Sequence, residues 1–130
     1  MKHDIIEVPV VSEAIRRLGA PTSALTRIGS TLYTCGMPPI DLSTGEIVRG
    51  DIATQTRACL EALSFTLNHA GSSMDNVFKS LVFLTDNALA ADMNKVYREF
   101  FPQHFPARSC VAVKPWALFD IEIECIAAAG

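Results

Sequence analysis

The stretch VFKSLVFLT, residues 77–85, carries apolar side chains at both odd and even positions. A strand of that pattern must be covered on both faces. Two other segments read as helices. The first starts near Asp51, an N-cap residue type, and stops at Gly71, with Ile52, Cys59, Leu63, Leu67 and Ala70 along one stripe. The second covers 87–100, with Leu89, Met93, Val96, Tyr97 and Phe100 in step, and Pro102 ends it. Two helices cover one face of a sheet. The other face then calls for a partner, and an oligomer whose interface includes the helix-free face is expected.

The remaining segments supply the sheet. Residues 4–9 read as a short opening strand. Residues 23–36 read as a hairpin turning at Ile28-Gly29-Ser30. Residues 37–50 are rich in proline and glycine and read as a loop, with a small hairpin at Thr44-Gly45. Two further strands are expected at 107–113 and 119–127. No internal repeat or linker appears, so 1–130 is read as a single domain. The expected class is α+β: a mixed, mostly antiparallel sheet with two helices on one face.

Composition narrows the function. The formal charge is -3, with 49% hydrophobic residues, and no basic stripe suited to a phosphate backbone is present. No nucleic-acid partner is expected. No apolar run approaches the ~18 residues that span a bilayer, and the segment MKHDIIEVP lacks the apolar core of a signal peptide. No membrane contact is expected, and a cytoplasmic location is. Cys35, Cys59, Cys110 and Cys125 are widely spaced, as are His3, His69 and His104. Free thiols and no metal site are expected.

The stretch FPARSCVAV, 105–113, places an arginine among small neighbours. Strand alternation groups Arg108 with Cys110 and Ala112. On the last strand Phe119, Ile121 and Ile123 alternate with Asp120, Glu122 and Glu124. If Val111, Val113 and the apolar set of the last strand meet the helices, Arg108 and Glu122 share the helix-free face. Two readings follow. One is a cross-strand ion pair of small worth. The other is an anion site, in which Arg108 forks a carboxylate, Cys110 and Ala112 leave room, and Glu122 holds or activates a water.

Several segments bear on this choice. GSTLYTCGMPPIDLSTGEIVRGDIATQT (29–56), AGSSMDNVFKSLVFLTD (70–86), NKVYREFF (94–101), PARSCVAV (106–113) and IEIECIA (121–127) together resemble the RidA/YjgF family of enamine/imine deaminases. They occur in the family's order over nearly the whole chain. The resemblance implies a chorismate-mutase-like fold and a homotrimer with three sites in clefts between subunits. It implies that Arg108 grips a substrate carboxylate, that the backbone at Cys110 contacts the ligand, and that Glu122 positions the hydrolytic water. The reaction so implied is hydrolysis of a 2-imino acid to a 2-keto acid and ammonia, with no cofactor.

Three departures concern the substrate. Where the family usually has GPYSQ, this chain has APTSA (20–24), so Thr22 stands where a tyrosine often lines the site. Thr22 is either a tolerated loop change or a change of substrate. Cys35 replaces the usual serine of the hairpin strand, either lining the pocket or packed. The loop VKPWALF (113–119) is shorter than the family's, and its Trp116 is either a surface cover or an aromatic wall for the ligand. Within the deaminase reading, a broad scavenger of reactive enamines stands beside a pathway enzyme such as a 2-aminomuconate deaminase. A ligand-binding trimer and a ribonuclease or translation inhibitor are the readings from other classes.

Overall fold

In the computed structural model, which describes residues 2–116 and 118–130, the chain runs β1 (Asp4–Ile6), α1 (Val11–Arg17), β2 (Leu25–Ile28), β3 (Thr31–Thr34), α2 (Ile52–His69), β4 (Val77–Leu84), α3 (Ala90–Phe100), β5 (Ala107–Ala112) and β6 (Ile121–Ala128). The six strands form one sheet in the order β1-β2-β3-β6-β4-β5. β4 and β5 pair in parallel, and the other neighbours are antiparallel. The class is therefore the expected mixed α+β.

The local causes are plain in most elements. Asp51 caps α2 by accepting a hydrogen bond from Thr54 N at 2.8 Å. Leu60, Leu63 and Leu67 keep the i, i+3, i+7 spacing and are fully buried. Gly29, at φ 58°, turns the β2–β3 hairpin, where a side chain would be strained. The small hairpin in the loop is present as an Ile40–Ile47 bridge, and the Asp41 carboxylate accepts from Ser43 N within its turn.

The chain has a third helix, α1, where two were expected. The opening strand stops at Ile6 because Pro9 has no N–H and the Val8 N–H instead donates to Ser12 Oγ at 2.8 Å. Val10 then makes a tight turn, φ 67° and ψ -53°, closed by Val11 N donating to Pro9 O at 2.7 Å. A β-branched residue seldom adopts that conformation. Burial of Val11, Ala14 and Ile15, spaced i, i+3, i+4, in the common core offsets it.

Ser80, Val82 and Leu84 of β4 and Ile121, Ile123, Cys125 and Ala127 of β6 are buried on the helix side. Leu81, Phe83, Glu122, Glu124 and Ile126 alternate with them and are only partly covered. Tyr33 and Val111 are also exposed, at 41% and 42%. The sheet thus has the helix-free, partly apolar face that the pattern of 77–85 required.

Candidate functional site

Arg108 lies at the start of β5, the edge strand, next to Ser80 of β4. Paired residues in neighbouring strands point to the same face. Ser80 is buried on the helix side, so Arg108 faces α3. Its guanidinium donates to Asn94 Oδ1 at 2.8 Å and lies over the Tyr97 ring, 4.7 Å from the centroid. Asn94 and Tyr97 are three apart on α3 and so share a helix face. Tyr97 is itself fixed by a 2.6 Å hydrogen bond with Ser80 Oγ. Among the described residues no carboxylate bonds Arg108. The guanidinium instead lines an open pocket with Asn94, Tyr97, Arg98, Phe105 and Pro106, about 230 Å³ in volume. Five N–H donors arranged as a planar fork, aimed into a pocket with little counter-charge, suit an oxyanion. Ser80→Ala would leave the buried Tyr97 hydroxyl without its partner. The expected cost is about 1–3 kcal/mol of stability, read by denaturant melts.

The second set of groups sits on β3 and β6. The ladder between them is interrupted after Tyr33↔Ile126 and resumes at Met37↔Ile123. Across the gap Thr34 Oγ1 accepts the Cys125 N–H at 3.0 Å and donates to Cys35 O at 2.8 Å. The segment Cys35-Gly36 thereby bulges beside Glu122, and a Cβ at position 36 would collide with Glu122 Oε1. Burial, and secondarily the nearby Glu124 carboxylate, pushes the Glu122 carboxyl up to about 7. Burial and the Glu122 charge push the Cys35 thiol up to about 12, so Cys35 is a neutral lining group. Glu122 is thus poised to exchange a proton near neutral pH.

The geometry corrects the expected grouping of Arg108 with Glu122 on one face. β4 lies between β5 and β6, and Glu122 pairs with Phe83 on the helix-free side. Phe83 in turn pairs with Val111, three residues along β5 from Arg108. At ~3.3 Å per residue and ~4.8 Å per strand, the two Cα atoms are about 14 Å apart, and their side chains point to opposite faces. The cross-strand ion pair is therefore excluded. The expectation that Val111 meets the helices fails because β5 is an edge exposed on both sides, where apolar alternation carries no information. Cys110 follows Arg108 on the helix side of this edge and is exposed. Burial raises its thiol, partly opposed by Arg108.

The other expected residues lie apart. Thr22 is exposed and lines a shallow depression with Glu7, Ser12 and Arg16, beside β1. Trp116 packs on Phe119, ring centroids 5.2 Å apart, and borders a depression with Arg49, Gln55 and Asp120. The loop 113–119 is described except at Ala117, which lies outside the described residues. Among the described residues no three His, Cys, Asp or Glu side chains gather as a metal site. No helix among them is long and apolar enough to cross a membrane. Sequence reasoning missed Asn94 and Tyr97, which aim Arg108, and the Thr34–Gly36 bulge that seats Glu122. The i, i+3 spacing of an amide and an aromatic on α3 was the available signal.

These features define a class of small α+β protein with an unpaired arginine on an edge strand and a proton-exchanging glutamate on the opposite sheet face. The endoribonuclease L-PSP family matches residues 13–129. Protein mmf1, mitochondrial, of Schizosaccharomyces pombe is 38% identical over 125 residues, 93% of this chain and 75% of that one. The 3-aminoacrylate deaminase RutC of Acinetobacter baylyi is 39% identical over 105 residues, 78% of this chain and 83% of that one. The crystal structure of a protein of unknown function of the conserved Rid family from Yersinia pestis has a TM-score of 0.87 and 32% identity, covering 98% of this chain and 99% of that one. The chain belongs to the endoribonuclease L-PSP family, the YjgF/RidA (Rid) family. Membership does not fix a compartment, since the fission-yeast relative is named as mitochondrial.

Proposed function

We propose that this protein is a deaminase that hydrolyses small enamines and imines bearing a carboxylate. The observation that carries the reading is Arg108: held by Asn94 and Tyr97, open to a pocket, and matched by no carboxylate among the described residues. The RutC relative, named as a 3-aminoacrylate deaminase, supports the reaction class. In the reaction, Arg108 forks the substrate carboxylate, which fixes the adjacent C=N carbon. The carboxylate form of Glu122 orients a water and accepts its proton as the oxygen attacks that carbon. The resulting carbinolamine, its nitrogen protonated, expels ammonia as the C–N bond breaks and the C=O bond forms. One imine and one water give one 2-keto acid and one ammonia. Cys35 and Gly36 line the water side, and Cys110 lies beside the carboxylate side.

Within one chain Arg108 and Glu122 stand on opposite faces, too far apart for one small molecule. The reading therefore requires a second copy. Its Glu122 face would meet the exposed edge strand β5, so that each site takes Arg108 and Cys110 from one subunit and Glu122, Cys35 and Gly36 from the next. A closed ring of three such contacts leaves no half-site unused. Light scattering at micromolar concentration is expected to give the mass of a trimer, and a monomer mass would remove the composite site. The chemistry is tested by generating short-lived imines from several amino acids with an oxidase and recording their lifetimes. The protein should shorten the lifetimes and speed the release of ammonia, one per imine, over the uncatalysed hydrolysis. A salt-dependent shift of RNA with no acceleration of ammonia release would favour the ribonuclease reading instead.

A further inference from the structure

The pocket in front of Arg108 contains a second arginine. Arg98 is one helical turn from Asn94 on α3, the residue that holds Arg108, and both arginines line the same 230 Å³ pocket. Elsewhere in the chain Arg16 pairs with Glu7 and Glu13 and Arg57 with Glu99, while Arg27 and Arg49 donate to the backbone oxygens of Gly29 and Leu118. Among the described residues neither Arg98 nor Arg108 has a carboxylate partner. The pocket's other lining groups are the amide of Asn94, the rings of Tyr97 and Phe105, and Pro106. Phe105 is 62% exposed. Two like charges beside one pocket repel in the empty protein, and an occupant with two negative groups relieves both. The flat apolar walls between them suit a short carbon chain.

We infer that Arg98 is a specificity residue and that the preferred substrates are imino dicarboxylates, one carboxylate forked by Arg108 and the second met by Arg98. This rests on the deaminase reading for Arg108 and adds the class of substrate. Because Arg98 is exposed, its contribution is a preference among acids, not a condition for binding. A short monocarboxylate would use Arg108 alone.

Calorimetric binding of two stable product analogues, 2-oxobutanoate and 2-oxoglutarate, to the assembled protein tests this. The wild type is expected to bind 2-oxoglutarate about two- to fivefold more tightly. Arg98→Gln, which keeps a long polar side chain without the charge, is expected to bring the ratio of the two Kd values to about one. Arg108→Ala should weaken both. Equal affinities in the wild type, or a preference that survives Arg98→Gln, would overturn the role of Arg98 while the deaminase reading stands. Binding of both acids undiminished in Arg108→Ala would overturn the deaminase reading and this inference with it. Raising salt from 50 to 500 mM should narrow the preference, as expected for an exposed cation.

Discussion

Arg108→Ala is expected to lower kcat/KM for imine hydrolysis by more than tenfold, and by a hundredfold for substrates with no other anchor. The charge-assisted fork alone accounts for roughly 1.5–3 kcal/mol. The reacting carbon is positioned through that fork, so loss of orientation adds to loss of binding, and kcat should fall along with any rise in KM. Arg108→Lys should recover little, since an ammonium cannot reproduce two parallel N–H donors or lie flat on the Tyr97 ring. Both variants should fold, because Arg108 is on an exposed edge strand and its removal leaves Tyr97 still bonded to Ser80. Imine lifetimes measured beside thermal melts separate chemistry from folding. Full activity in Arg108→Ala would end the catalytic assignment.

Glu122→Gln should abolish turnover almost completely while making the protein more stable at alkaline pH. The Glu122 carboxyl is raised to about 7 by burial and then by Glu124, whereas in the unfolded chain it titrates near the ordinary glutamate value of 4.5. A raised folded-state pKa contributes stability that is complete below about 4.5 and is lost as pH climbs through about 7. Over that window the wild type should lose stability of the order of 1 kcal/mol, after allowance for partial solvation. Glu122→Gln should lose less. Activity should run the other way, rising through pH 7 as the carboxylate forms and can take the proton of water. Melts and rates across pH 5–9 test both slopes. A wild-type rate flat across that range would remove Glu122 from the chemistry.

The parts of the fold governed by local chemistry were legible in the sequence. Asp51 and the leucine stripe define α2, and Gly29 marks the hairpin turn. The two-sided apolar pattern of 77–85 correctly required a sheet face without helices. α1 is hard to read because it has only seven residues and follows Val10, which is held in a rare conformation, although Val11, Ala14 and Ile15 show helical spacing. For the candidate site, the pattern singles out Arg108 and Glu122 as residues but not their placement, since their faces depend on which strand neighbours which. That is a long-range choice, and β4 inserts between β5 and β6. Parity along β5 also misled, since an edge strand exposed on both sides has no inside face to mark. Asn94 and Tyr97 looked like helix surface and core, and only the parallel register of β5 against β4 brings Arg108 onto them.

That register has a consequence for how such a protein can diversify. Under the proposed reaction, the groups on the carboxylate side answer to α3, since Asn94, Tyr97 and Arg98 all belong to it, whereas the groups on the water side answer to the β3 bulge and β6. The two sets belong to separate layers and share no side chain. Drift along one helix face can therefore retune which acid is held, leaving the hydrolytic apparatus untouched. Duplicated copies of such a gene could explore new substrates by surface changes on a single helix, at little risk to the reaction itself.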